Sequence, residues 1–299
     1  MRFQFIHEHG KDHTVRKMCD VLGVSPSGYY KYVERLEREE TKREAFNRYL
    51  DERITFHYHD HYGCYGSPRI HYILQEEDGV EVSAKKVANR MKELGLYAAA
   101  PKAFIHTTDS NHENRIYSNH LNREFSPTEP NQVWATDITY VPTGEGFVYL
   151  NPILDLFSRR VISYQVEDHM DQSLCLKALE KALAMRKPKG EWIHQSDRGS
   201  QYSSRAYIDK LKEAGAKISM SRKGNPYDNA CVESFFGSFK KEFMYKTVYK
   251  TKEEAKRAIE CYITFYNQKR IHSTLDYLTP LQKELNHQMI SDQELITKQ

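Results

Sequence analysis

"QVWATDITYVPTGEGFVYLNPILDLFSRRVISYQVED", residues 132–168, is the stretch on which the fold turns. Val, Ile, Tyr, Phe and Thr alternate along it, and turn residues interrupt it at "TGEG" and "DLFS". That pattern predicts a three-stranded antiparallel meander. Downstream, an amphipathic helix is expected over about 171–187, with Leu174, Ala178, Leu179, Ala182 and Leu183 inward. A short strand, "EWIHQ", follows and ends at "SDRGSQY". Then come a helix over about 203–214, a strand at "KISMS", and a last helix opened by "GNPYDNACVESFFGSFKKEF", residues 224–243.

Three strands, a helix, a strand, a helix, a strand and a helix make a mixed sheet with helices on its faces, the order of a ribonuclease H-like core. This α/β domain is placed at 126–290 with its C-terminal helices, followed by a tail at 291–299. Residues 104–125 are polar and lack a sustained period, which reads as a linker. Residues 46–103 predict helices over about 68–77 and 84–94, with Ser83 as N-cap and Gly95 as stop. Val87, Met91 and Leu94 would face inward, leaving Lys85, Lys86, Arg90 and Lys92 outside. A basic exposed second helix suits a recognition helix, and also any surface helix. In residues 1–45, Val15, Met18, Cys19, Val21 and Leu22 form an apolar set; Gly23 and "SPSGYY" break it, and a charged helix follows. The expected class is therefore a mixed α/β sheet preceded by an all-α helix-turn-helix region.

The composition, 39% hydrophobic and 28% charged, is that of a soluble globular protein. No apolar run approaches the roughly 18 residues of a membrane span, and "MRFQFIHEHGKDH" holds none of signal-peptide length. Five scattered cysteines without a CxxC pair fit a reducing cytoplasm. Net charge is only +3, but residues 215–270 hold 12 Lys+Arg against 6 Asp+Glu, whereas residues 1–125 hold 19 of each. The basic excess around the last helix of the core could steer a polyanion.

Three carboxylates occupy special places in the expected order. Asp137 lies within the first strand, Asp197 just past the fourth, and Glu233 on the last helix. Strand ends are where sites form in such sheets. Converging carboxylates need a counter-charge to stay ionised together, and hard divalent cations such as Mg²⁺ or Mn²⁺ supply it. Two ions about 4 Å apart activate an attacking oxygen and stabilise a leaving one at phosphorus, without a protein nucleophile. Any single acid would read as a surface or capping group, since 41 of 299 residues are acidic. Asn225-Pro226 as N-cap and N1, with Asp228 at N3, would fix the helix register. Glu233 and Lys240 then lie within about 20° of one face, with Val232, Phe235, Phe236 and Phe239 opposite. Gly237 mid-helix costs roughly 1 kcal/mol relative to Ala; a close-approaching ligand or a helix packing contact would account for it.

Lys240 could hold a DNA phosphate. Arg222, Lys223 and Asn229 could approach DNA, or serve surface and capping roles. Lys269 and Arg270, with His272, make a basic patch suited to a DNA backbone or to helix-end solvation. "HYHDHYGC" tempts a zinc reading, but its histidines alternate and no second pair follows, so surface or DNA-facing histidines are expected. His194 reads as strand-end packing more than as a metal or phosphate contact, and Asp155 as a structural turn carboxylate.

"WATDITY", "LDLFSRRVISY", "HQSDRGSQY", "SRKGNPYDNACVESFFGSFKKE" and "YNQKRIHSTLDYLTPLQ" together resemble the catalytic frame of a bacterial insertion-sequence transposase. The match is to the IS-three family, in its second-frame (OrfB) product, related to retroviral integrases through the DDE, or rve, core. "VRKMCDVLGVSPSGYY" and "YGSPRI" extend the resemblance over most of the chain. It implies that Asp137, Asp197 and Glu233 bind two Mg²⁺ ions, with Mn²⁺ as substitute, and that Lys240 is the basic residue following the Glu. It implies strand cleavage at transposon ends and direct attack of 3′ hydroxyls on target DNA. A homo-oligomer on DNA, a fusion or partnership with the upstream-frame product, and a cytoplasmic, nucleoid-associated location are expected with it. One departure stands in "HQSDRGSQY": Gln195 separates His194 from Ser196, where family members commonly have His-Ser or His-Thr before the Asp.

Two alternatives follow from the same residues. A non-catalytic DNA-binding regulator of transposition is one, since the family's upstream frame often supplies end binding and no heptad run is visible here. A tyrosine recombinase is the other, with Arg270, His272 and Tyr277 close in sequence, but it leaves the three acids unexplained.

Overall fold

The helical signals upstream of residue 98 resolve into six helices. The computed structural model describes residues 1–98, 114–223 and 225–297. The chain divides into two compact units after Arg53. The first contains α1 (Arg2–Glu8), α2 (Val15–Leu22) and α3 (Pro26–Glu37), packed around Ile6, Met18, Cys19 and Tyr29. Gly23 ends α2 in the left-handed region at φ +63°, which costs glycine nothing sterically. Ser25 then accepts a hydrogen bond from Gly28 N, so "SPSGYY" starts a helix instead of forming a turn. Val21, one of the apolar set, is 79% exposed.

The division falls inside α4 (Lys42–Asp60). In the second unit, α5 (Ser67–Glu76) and α6 (Ala84–Glu93) form the expected helical pair. Ser83 Oγ caps α6 by accepting from Lys86 N at 3.2 Å. Val87 and Met91 are buried, but Leu94 is 37% exposed. Residues 99–103 of the expected helical domain and 104–113 of the expected linker lie outside the described residues. The end of that stretch is packed against the sheet domain: Leu121 is buried, and Ser219 Oγ accepts from His120 N and Leu121 N at 2.8 and 3.2 Å.

The alternating stretch folds into four strands rather than three, because the chain leaves the ladder at Asp137. β1 (Val133–Thr136) and β2 (Thr139–Thr143) are separated by Asp137 and Ile138, and β3 (Gly146–Asp155) and β4 (Val161–Glu167) complete the meander. β3 pairs antiparallel with β1, β2 and β4. Buried continuously from Leu150 to Asp155, it reads as the central strand its near-unbroken apolar run requires. Next come α7 (Gln172–Arg186), β5 (Trp192–Ser196), α8 (Arg205–Glu213) and β6 (Ala216–Met220). β5 adds to β1 in parallel and β6 to β5. Cys175, Ala178, Leu179 and Ala182 of α7, with Tyr207 and Leu211 of α8, pack on Trp134, Ile153 and Trp192. Each fully buried large apolar side chain there contributes about 1.5–3 kcal/mol.

α9 (Ala230–Glu242) lies against β1, and α10 (Lys252–Gln268) against β3. The two helices share a separate aromatic cluster that includes Phe235, Phe239, Tyr262 and Tyr266. α9 does not begin at the expected cap. Pro226–Asn229 form a 3-10 turn, and Asn225 makes no capping side-chain bond. Asp228, expected to complete the cap, is turned inward instead, accepting from Arg222 N at 2.9 Å, Arg222 Nε at 2.8 Å and Arg123 Nε at 3.3 Å. α11 (Pro280–Thr297) runs on through most of the residues expected to form a tail. Among the described residues, no helix is long and apolar enough to cross a membrane.

Candidate active site

The sheet brings two of the three acids to one edge. β1 and β5 are parallel neighbours with Ala135 opposite Gln195. Two residues further along each strand stand Asp137 and Asp197, so both leave the sheet at the carboxyl end of adjoining parallel strands, where α/β sites form. The break that frees Asp137 has a cause on β3. Asn151 Nδ2 lies 2.9 Å from Asp137 O, 2.8 Å from Thr136 Oγ1 and 2.7 Å from Tyr202 OH. Asn229 Nδ2 donates to Thr136 O at 3.2 Å, which seats the start of α9 on the end of β1. Glu233 is in the first turn of α9 and Lys240 in its last.

Electrostatics tie the four groups together. Asp137 Oδ1 accepts from Ile138 N at 2.7 Å. Burial, reinforced by the charge of Asp197 and then of Glu233, pushes the Asp137 carboxyl well above the usual range, against the pull of Lys240. Burial holds the Lys240 ammonium below its ordinary value, with Asp137 opposing. Asp197 Oδ1 accepts from Gly199 N at 2.8 Å. The result is a carboxylate cluster with a net need for positive charge.

The donor chemistry fits a hard divalent cation: carboxylate oxygens, with amide oxygens beside them. Among the described residues, Asn151 Oδ1, Gln195 Oε1 and Asn229 Oδ1 are buried without a hydrogen-bond partner. Each of these amides belongs to a residue on an element bordering Asp137 or Asp197. As placed, no three His, Cys, Asp or Glu side chains among the described residues close a site around one ion.

The other expected residues divide. Lys223 is exposed and Arg222 is exposed but held by Asp228. Lys85 is exposed on α6, while Lys86 and Arg90 are half-buried, Arg90 reaching Glu93. Lys269 is exposed and pairs with Asp60 at 3.2 Å. Arg270 is not a surface residue: it is 4% exposed and forms a fork onto Glu242, so the expected DNA-backbone contact is withdrawn there. Asn229 is likewise buried and tied to the sheet rather than turned outward. His57 and His61 are not surface histidines: His57 meets Asp78 at 2.8 Å and His61 stacks on Tyr65 at 4.3 Å. Buried His194 packs beside Tyr207, whose hydroxyl is 3.1 Å from its Nε2. Asp155 accepts from Asn131 N and Phe157 N at 2.7 and 3.0 Å, a structural turn. Tyr277 stacks on Tyr72 at 4.5 Å, and Arg270 is engaged with Glu242, so the tyrosine-recombinase cluster does not assemble.

Two residues escaped the sequence reading. Asn151 had a signal, a polar amide next to Pro152 inside an otherwise apolar strand. Gln195 stood out only as a departure; its Nε2 reaches Ser221 Oγ at 3.0 Å and Asp228 O at 3.3 Å, linking the end of β5 to the chain entering α9.

Integrase core domain families match residues 127–226 and 214–280, and an HTH-like domain family matches 46–104. The broken mixed sheet, its acidic edge and these matches define an integrase-core protein joined to an HTH-like domain. Among its relatives, an uncharacterized 31 kDa protein of insertion element IS600 from Shigella sonnei is 40% identical over 274 residues, 91% of this chain and 99% of that one. The transposase for insertion sequence element IS904 from Lactococcus lactis is 37% identical, over 82% of this chain and 97% of that one. Transposase InsF for IS3A from Escherichia coli is 36% identical, over 95% and 98%. The chain belongs to the IS3 family of insertion-sequence transposases. Among solved structures it is similar to a simian T-cell lymphotropic virus intasome in complex with a PP2A regulatory subunit, with TM-score 0.46, 16% identity and coverage of 77% of this chain and 73% of that one. It is also similar to the HTLV-2 integrase catalytic core domain in complex with magnesium, with TM-score 0.41, 18% identity and coverage of 52% and 98%.

Proposed function

We propose that this chain is a DNA transposase that cleaves the ends of its element and joins the 3′ hydroxyls to target DNA. The observation that carries this reading is the shared edge of Asp137 and Asp197, each one residue beyond the parallel neighbours β1 and β5, within electrostatic reach of Glu233 and Lys240. Asp137, Asp197 and Glu233 are the residues to hold Mg²⁺ or Mn²⁺. When bound, two such ions supply an activated attacking oxygen and charge stabilisation of the leaving one. Asn151 fixes the backbone at Asp137, and Asn229 fixes α9 against it. Lys240, partly desolvated, draws a DNA phosphate onto the same face. In the first step a water oxygen bonds to phosphorus, and the 3′ oxygen of the element departs and takes up a proton. In the second, that 3′ hydroxyl loses its proton and attacks a target phosphodiester, whose own 3′ oxygen leaves. No protein nucleophile takes part.

Residues 46–103, with Lys85, Lys86 and Arg90 on α6, serve binding to the element's ends, and residues 126–290 the chemistry. Lys223, with Arg222 and Lys269 once they exchange Asp228 and Asp60 for DNA, would meet phosphates. The working form is an oligomer on DNA in the bacterial cytoplasm, with or without the upstream-frame product. A labelled duplex carrying the element's end tests this, with Mn²⁺ or Mg²⁺, for the chain alone and fused to its upstream frame. Metal-dependent nicking that Glu233→Gln abolishes is expected. Nicking that survives the substitution would overturn the site assignment, and inactivity of both forms would overturn the function.

A further inference from the structure

A second buried charged cluster lies at the other end of α9, outside the site. Arg270 Nε donates to Glu242 Oε2 and Arg270 Nη2 to Glu242 Oε1, both at 2.7 Å. Tyr262 OH donates to Glu242 Oε2 at 3.0 Å, and Arg270 Nη2 reaches Ser238 Oγ at 3.0 Å. Arg270 Nη1 is 3.2 Å from the His272 ring, which burial and then the Arg270 charge push down to about 2, leaving it a neutral acceptor. The side chains of Arg270 and Glu242 are 5% and 8% exposed. Arg69 of α5 approaches Glu242 Oε1 at 3.9 Å. Tyr65 just before α5 accepts from Ile271 N at 2.9 Å and donates to Lys269 O at 3.2 Å.

Such a pair is poorly explained by stability, because desolvating both ions roughly cancels their attraction, and apolar replacements of similar volume are often neutral or better. Its place on the helix is more telling. Glu242 follows Glu233 by nine residues, a rotation of about 180° from it. Phe235 and Phe239 share the rear face with Glu242, and apolar contacts alone are non-directional. A planar two-bond fork fixes both the rotation and the axial position of the helix it grips.

We propose that Arg270 and Glu242 are positioning residues, a rear clamp that sets the rotation of α9 and so aims Glu233 and Lys240 at Asp137. Arg69 joins the clamp to the segment matched by the HTH-like family. The inference rests on the proposed transposase function for its activity readout and on the helix's rotation for the other.

The test uses the full chain, fused to its upstream frame if that form is the active one, and compares wild type, Arg270→Lys and the double variant Arg270→Met with Glu242→Leu. The double variant is expected to melt near wild type and to bind the element's end as well, while single-turnover nicking falls about 100-fold, as small misplacements do. Its half-saturating Mn²⁺ concentration is expected to rise about tenfold or more. Arg270→Lys keeps the charge and loses the fork, so it should show the same split in milder form. A double variant that cleaves at the wild-type rate with the wild-type Mn²⁺ requirement overturns the clamp. If the double variant does not fold, wild-type cleavage by Arg270→Lys overturns it. If wild type itself shows no nicking that depends on Glu233, the function fails instead. The clamp is then decided by crystal structures of wild type and a folded variant: a rotated or shifted α9 sustains it, and a superimposable one overturns it.

Discussion

The two ends of α9 carry acids in opposite surroundings. At its C-terminal end Glu242 receives a guanidinium fork and a tyrosine hydroxyl. Elsewhere, Glu284 meets Arg186 at 2.7 Å together with Arg160, and Asp228 meets Arg222 at 2.7 Å together with Arg123. At the N-terminal end, Asp137 meets the charges of Asp197 and Glu233, and the opposing pull of Lys240 does not offset them. Acids that join elements come with donors shaped to them. Acids set among acids hold repulsion that a cationic ligand would relieve, which is the signature of a functional cluster.

The sharpest way to break that contrast is Asp137→Asn. Metal-dependent nicking is expected to fall on the order of 1,000-fold. Without divalent ions the melting temperature should hold or rise, since a buried charge leaves a repulsive cluster. Single-turnover nicking and a thermal melt check it. A lower melting temperature with nicking retained would place Asp137 among the structural acids.

Asp155 and Asp228 sharpen the comparison from the structural side, with opposite signs. Burial pushes the Asp155 carboxyl up to about 6, despite its two backbone N–H donors. The folded state therefore keeps this proton where the unfolded chain has released it. That stability is present below about pH 4 and lost as pH rises through about 6, by up to about 3 kcal/mol. Urea unfolding at pH 4 and pH 7 should show wild type losing that much relative to Asp155→Asn. Hydrogen bonds from Arg222 hold the Asp228 carboxyl well below the usual range. Its stabilisation is present above about pH 4 and lost as pH falls through the depressed value. Because both arginines are about half exposed, Asp228→Asn should cost only about 1–2 kcal/mol at pH 7. Equal pH slopes for the two substitutions would contradict both environments.

What the sequence disclosed follows from how locally each feature is caused. Strand alternation, the Ser83 cap and the Gly95 stop are decided within a few residues, and so is the face shared by Glu233 and Lys240. The candidacy of Asp137 and Asp197 was legible, although their meeting depends on β5 adding to β1 in parallel, which the order along the chain does not show. The break at Asp137 was not, since its cause is the Asn151 side chain on another strand. Arg270 looked like surface charge because its partner, Glu242, lies 28 residues away on another helix. Asp228 looked like a cap because nothing nearby in sequence shows that Arg123 would also claim it.

The smallest expected effect tests whether the open face of α9 is open for a purpose. A Cβ at Gly237 would meet nothing within 4 Å, so a close helix packing contact does not account for the glycine. On propensity alone Gly237→Ala should stabilise the protein by up to about 1 kcal/mol, readable as a small rise in melting temperature. The position lies one turn beyond Glu233, and about 60° around the helix from Lys240, on the face where a phosphodiester backbone would approach. A methyl group there is expected to weaken binding of the element's end severalfold and slow nicking to match, while the apoprotein becomes more stable. That combination separates access from packing: a packing glycine would lose stability on substitution, and an incidental one would gain stability with full activity. Only a glycine kept for an incoming ligand gains stability and loses function together.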